Sequence, residues 1–193
     1  MSSSISSYND YNESNSIPYI PYHILSVLVE NKPGVLFRVT NLFRSRNFNI
    51  ESITVGSTEQ KDLSRMTIAT QSDLRTLDQL VKQLRKLIDI IDVQILGLNT
   101  TVFREIALIK MKALDPTSRM EISHFANIFR ANILDINQDS VIVEVTGTPD
   151  KINAFKNLVN HYGIIQIART GVCALPRGLQ IEKEDKKHEE KTK

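Results

Sequence analysis

The 193-residue sequence has one cysteine, Cys173, and no tryptophan. A single thiol excludes an intramolecular disulfide framework and any all-cysteine metal cage, and it suits a reducing compartment such as the cytoplasm. No histidine stands beside Cys173 in a known catalytic spacing. It therefore reads as a small apolar strand residue and not as a nucleophile. An excess of one charge is also missing: 24 Lys and Arg against 22 Asp and Glu leave a net +2. That balance gives no general reason to bind nucleic acid or anionic lipid. No apolar run approaches the roughly 20 residues that span a bilayer.

Catalytic signatures are lacking as well. His23, His124, His161 and His188 are scattered, with no HExxH or similar metal spacing. There is no GxxxxGK[ST], GxGxxG or GxSxG segment. His124 lies beside an apolar helical stripe, which suits a structural or solvent-facing role. No set of nucleophile, acid/base groups and metal ligands comes into register, so the expectation is a chain with no catalytic site and no bound metal.

What is present is a regular alternation of elements. Residues 1–21 open with a Ser- and Asn-rich stretch without Lys or Arg, and the charged tail at 179–193 mixes both signs. The first is expected to be a disordered extension and the second a solvated tail. Between them, His23–Glu30 reads as a strand and Gly34–Arg46 as a helix with Leu36, Val39, Leu42 and Phe43 on one stripe. Phe48–Val55 and Leu63–Thr70 read as strands. Asp73 caps a second helix with the stripe Leu77, Leu80, Val81, Leu84, Leu87 and Ile88, and Ile91–Leu96 closes the unit as a strand. The order is β-α-β-β-α-β, the ferredoxin-like arrangement.

The order then repeats. Arg104–Ala113 is a strand and Pro116–Ala131 a helix; Ile133–Asn137 and Ser140–Thr146 are strands. A helix opening at Thr148-Pro149-Asp150 follows, and Ile164–Ala174 is the last strand. The expected fold is α+β, two tandem ferredoxin-like βαββαβ units at 22–98 and 99–178. A shift of 83 residues places Pro33 on Pro116, Asn49 on Asn132 and Ile50 on Ile133, as a duplication would. The same shift puts Asn31 on Leu114 and Gly34 on Thr117. The second unit thus loses the polar side chain and the glycine of the first turn.

RNA-recognition modules share this element order but carry stacking aromatics on their central strands. Leu63–Thr70 and Val141–Val145 contain none, so RNA binding is the weaker alternative. The stretch with chemical promise is Glu30-Asn31-Lys32-Pro33-Gly34-Val35-Leu36, where a strand passes into a helix. Free amides at a helix N-terminus attract anions. Asn31 can donate and accept, and Gly34 leaves the backbone bare. Together they suit a zwitterion such as an amino acid. Alternatively, Asn31 caps the helix and Gly34 only makes the turn. Spacing does not choose between the two.

Several segments, in order, resemble one family. ILSVLVENKPGVLFRV at Ile24–Val39, FNIESITV at Phe48–Val55 and LSRMTI at Leu63–Ile68 look like the ACT domain of the regulatory (small) subunit of acetolactate synthase. QLRKLIDIIDV at Gln83–Val93, REIALIKM at Arg104–Met111 and ARTGVCALPRG at Ala168–Gly178 resemble the rest of that family's chain. The resemblance implies an N-terminal ACT domain, a C-terminal ACT-like domain and no active site. It implies a partnership with the large catalytic subunit, which carries thiamine diphosphate and Mg, while the small subunit itself binds no cofactor. It further implies activation of that subunit and feedback inhibition by valine, in branched-chain amino acid biosynthesis. ACT domains of the family pair side by side as a homodimer with the effector at the interface. By position, Asn31, Gly34, Val35 and Leu36 of one chain and Asn49 and Ile50 of the other would form the effector site. An ACT sensor serving a different enzyme is the alternative within the same class.

Overall fold

The computed structural model describes residues 22–178. Its first unit runs β1 (Tyr22–Glu30), α1 (Val35–Ser45), β2 (Ser52–Ser57), β3 (Leu63–Gln71), α2 (Leu74–Leu84) and β4 (Ile90–Leu96). The strands form an antiparallel sheet in the order β2-β3-β1-β4. Side chains alternate across a strand, so one face of β1 presents Leu25, Val27 and Val29 to the helices. They meet Met66 and Ile68 of β3 and Val93 of β4. Helical spacing delivers Val35, Val39 and Phe43 from α1 and Leu77, Leu80, Val81 and Leu84 from α2 to the same core. Each such side chain, fully buried, contributes about 1.5–3 kcal/mol.

The second unit repeats the plan with β5 (Thr101–Lys112), α3 (Pro116–Ile128), β6 (Asn132–Ile136), β7 (Ser140–Gly147), α4 (Pro149–Val159) and β8 (Ile164–Arg169). Its sheet has the order β6-β7-β5-β8. Ala107, Ile109 and Met111 of β5 and Val141, Val143 and Val145 of β7 meet Ile122, Ile152, Phe155 and Val159 from the helices. The expected α+β architecture of two βαββαβ units is what the chain adopts. The expected disordered extension and solvated tail lie outside the described residues.

Three expected features differ. β2 begins at Ser52 and not at Phe48. The chain leaves α1 through Asn47 at φ 57°, and the Phe48 amide turns back to donate to the Phe43 carbonyl at 2.9 Å. The Phe48 ring then stands edge-on against Phe43, so it plugs the end of the core before the strand starts. Ile88 is 91% exposed, because α2 stops at Leu84; of the expected stripe beyond it only Leu87 still packs on the core. The last strand is broken into β8 and β9 (Cys173–Pro176).

That break joins the units. The first residues of β5, Thr101–Arg104, pair with β9, while the remainder pairs with β7 and β8. Val172 and Ala174 pack on Ile24 and Leu96 of the first sheet, with Tyr22, Leu98 and Phe103 around them. Gly171 fits against β2 so closely that a Cβ there would stand 2.6 Å from Thr54 Oγ1 and 3.1 Å from the Ile53 carbonyl. Cys173 does lie in a strand, but its side chain is exposed.

Candidate functional site

β1 ends at Glu30, whose amide donates to the Asp89 carbonyl at 2.9 Å, and the Asn31 amide donates to the Asp62 carbonyl at 2.7 Å. The turn is thus tied to the α2–β4 and β2–β3 connections. Gly34 occupies the N-cap position of α1 at φ 86° and ψ −8°, the left-handed region that glycine alone enters without a Cβ penalty. Among the described residues no side chain caps this helix, and there is no acidic residue in its first turn. Asn31 is exposed and does not cap, so the alternative in which it simply finishes the helix fails. The amides of Leu36 and Phe37 have no acceptor among the described residues.

The glycine's role is sharper than the sequence suggested. A Cβ on Gly34 would meet only Arg38 Nη1, at an ordinary contact of 3.5 Å. Backbone conformation, more than room for an approaching ligand, demands glycine here. Val35 is buried in the core, and Leu36 is 45% exposed beside it.

Asn49 and Ile50 lie elsewhere. The Asn49 carbonyl accepts from the Thr70 hydroxyl at 2.7 Å, and Thr70 pairs with His23 at the start of β1. The turn at Asn31–Gly34 follows the other end of the same strand. Seven residues of β1 separate the two ends, about 20 Å at strand rise. Within one chain the six expected residues therefore form two clusters, not one site. Ile50 packs against the first core, and the exposed Asn49 donates to Glu51 Oε1 at 2.6 Å.

The corresponding turn of the second unit is finished differently. Asp115 is the N-cap of α3, and its carboxylate accepts from the Ser118 amide at 2.8 Å and the Ser118 hydroxyl at 2.6 Å. The hydroxyl bond, with the amide bond after it, holds the Asp115 carboxyl below the usual carboxylate range. By helix start, Gly34 corresponds to Asp115, and not to Thr117 as the 83-residue shift suggested.

Elsewhere the titratable groups support structure. His124 is exposed, as expected, at the rim of a shallow pocket with Phe125, His161 and Tyr162. Desolvation and a 2.6 Å hydrogen bond donated to Glu121 push the Tyr162 phenol up to about 12. Among the described residues, no cluster of three or more His, Cys, Asp or Glu side chains is placed to hold a metal. No described helix is long and apolar enough to cross a membrane.

Two tandem ferredoxin-like units, the first with an open strand-to-helix turn, define an ACT-domain protein. Residues 25–92 match the model of the AHAS small subunit-like ACT domain, and residues 104–178 match that of the small subunit of acetolactate synthase. The chain is 53% identical over 156 residues to a probable acetolactate synthase small subunit of Archaeoglobus fulgidus, covering 81% of this chain and 97% of that one. It is 49% identical to the acetolactate synthase small subunit of Mycolicibacterium smegmatis, covering 81% and 91%. The crystal structure of the Thermotoga maritima acetolactate synthase small subunit superposes with a TM-score of 0.77 at 41% identity, covering 83% of this chain and 99% of that chain. The chain belongs to the acetolactate synthase small-subunit family.

Proposed function

We propose that this chain activates the large, thiamine-diphosphate-dependent subunit of acetolactate synthase and confers feedback inhibition on it, with valine as effector. The supporting observation is the uncapped start of α1 behind Gly34, in a chain of this family. The effector's carboxylate meets the Leu36 and Phe37 amides, favoured by the helix dipole. Its ammonium is served by the Asn31 side-chain carbonyl, and its aliphatic side chain rests on Leu36.

Asn49 and Ile50 complete the site from a second copy. The outer edge of β2 has no strand partner among the described residues, carries neither Lys nor Pro, and exposes Val55. Such an edge is suited to pairing with another strand. In an antiparallel β2–β2 pairing about a two-fold axis, the start of one β2 lies opposite the end of the other. That end, Ser57, registers with Ser64, which registers with Val29 beside the turn. The partner's Asn49 would thereby approach this chain's turn, although the two are far apart within one chain.

Inhibition requires that valine bind better to the arrangement in which the catalytic subunit is less active. The test is reconstitution with the organism's large subunit, followed by titration of valine, leucine and isoleucine. Activation by this chain, with inhibition by valine, is the expected result. Absence of activation, or no response to any of the three, refutes the reading.

A further inference from the structure

Arg38 stands four residues into the chain beyond Gly34, and helical side chains lean toward the N-terminus. Its guanidinium accordingly reaches back over the open turn. Nε and Nη2 donate to the two carboxylate oxygens of Asp89 at 2.6 and 2.7 Å. Asp89 is buried, its side chain 8% exposed, and its own carbonyl accepts the Glu30 amide. A planar, two-bond pair on a buried carboxylate fixes the guanidinium in orientation as well as position. The third nitrogen, Nη1, has no acceptor among the described residues and lies 3.5 Å from the point where a Gly34 Cβ would be.

A cation at a helix N-terminus opposes the helix dipole, so this placement has an electrostatic cost. Asp89 offsets it from the core side, and the Arg38 side chain as a whole is 44% exposed. The second unit shows the alternative. Its arginine at the same step beyond the cap, Arg119, directs Nη1 to the Ala113 and Gln138 carbonyls, each at 2.8 Å. There the arginine is consumed by the turn, and Asp115 fills the cap.

We propose that Arg38 reads the effector's carboxylate through its open Nη1 edge, with Asp89 as the residue that positions it. The assignment rests on the effector reading above. It adds a full charge to a recognition otherwise made by backbone amides, and it makes the site selective for a free α-carboxylate over an amide of the same shape. A carboxylate introduced at residue 34 would compete for the same nitrogen.

The test compares L-valine with L-valinamide on the full-length chain near pH 6.5, where both ligands keep an ammonium group. Calorimetry gives the valine affinity, and competition against valine gives that of valinamide. In the wild type, valine should be preferred at least tenfold. In Arg38→Gln, valine affinity should fall about tenfold or more while valinamide affinity stays within twofold. Asp89→Asn should lose less valine affinity, and the double variant should be no worse than Arg38→Gln, since Asp89 acts through Arg38. Equal weakening of both ligands in Arg38→Gln would reduce the arginine to a structural role and overturn the proposal. So would unchanged valine affinity. If Arg38→Gln does not fold, Arg38→Lys carries the test: it keeps the charge but not the two-bond lock, and undiminished preference for valine in it overturns the role of the fixed guanidinium. If the wild-type chain binds none of the branched-chain amino acids, the effector reading itself falls, and this assignment with it.

Discussion

The β1–α1 turn and the β5–α3 turn connect the same kinds of element in two copies of one fold, but only the second is completed by its own residues. At α3 the Asp115 carboxylate accepts the Ser118 amide, and Arg119 bonds to the Ala113 carbonyl of the turn. At α1 a left-handed glycine leaves the amides free and Arg38 keeps one nitrogen open. A helix start needs an acceptor. The second unit carries that acceptor in its sequence, and among the described residues the first has none. The two units thus share a scaffold and differ in how the first helix begins.

The comparison can be broken most sharply by Gly34→Asp. It gives the first turn the carboxylate that the second already has. Inhibition of the reconstituted enzyme by valine should be abolished, while activation of the large subunit persists. Normal valine sensitivity would show that the open turn is not the site. Asn49→Ala tests whether the open turn is only half of one. Loss of a hydrogen bond to a charged ligand costs roughly 1.5–3 kcal/mol, so calorimetry should show affinity about tenfold weaker or more. Native affinity would remove Asn49 from the site.

Gly171→Ala asks how far the two units depend on their contact. A methyl group driven against Thr54 Oγ1 and the Ile53 carbonyl should lower stability in urea by about 1–3 kcal/mol. An unaffected midpoint would mean that the junction yields easily. The smallest effect is expected of Asp115→Asn. It should lower the thermal midpoint by a few degrees at neutral pH and leave valine affinity unchanged. Because the folded state lowers the Asp115 pKa, the stabilisation is present above the unfolded value and is lost as pH falls through the folded one. Wild type and variant should therefore converge as the carboxyl protonates in acid, and a difference that does not shrink as pH falls would place the origin elsewhere.

Much of this was legible in the sequence because it is local. Leu77, Leu80, Val81 and Leu84 recur at helical spacing, so α2 and its buried face could be read directly. Asp73 stood where an N-cap should stand, and its carboxylate does accept the Thr76 amide. Glycine at residue 34 marked the special turn. Less legible were features set by contacts between distant residues. Phe48 leaves the strand pattern because the end of α1 offers it Phe43. The strand expected at Ile164–Ala174 divides because Gly171 and Val172 must fit against the first sheet. The 83-residue shift aligned proline with proline and so missed that Asp115, two residues before Thr117, takes the place of Gly34.

Periodicity and turn chemistry, which act over a few residues, let the sequence by itself determine two βαββαβ units and one unusual helix start. Tertiary structure alone decided what that start has around it. Arg38 and Asp89 are 51 positions apart in sequence and meet only because α1 and the α2–β4 connection lie at the same end of the sheet. The same packing placed Asn49 at the other end, beyond reach of the turn in its own chain. The direction of each strand fixes which loops share an end, and no local pattern of residues encodes that.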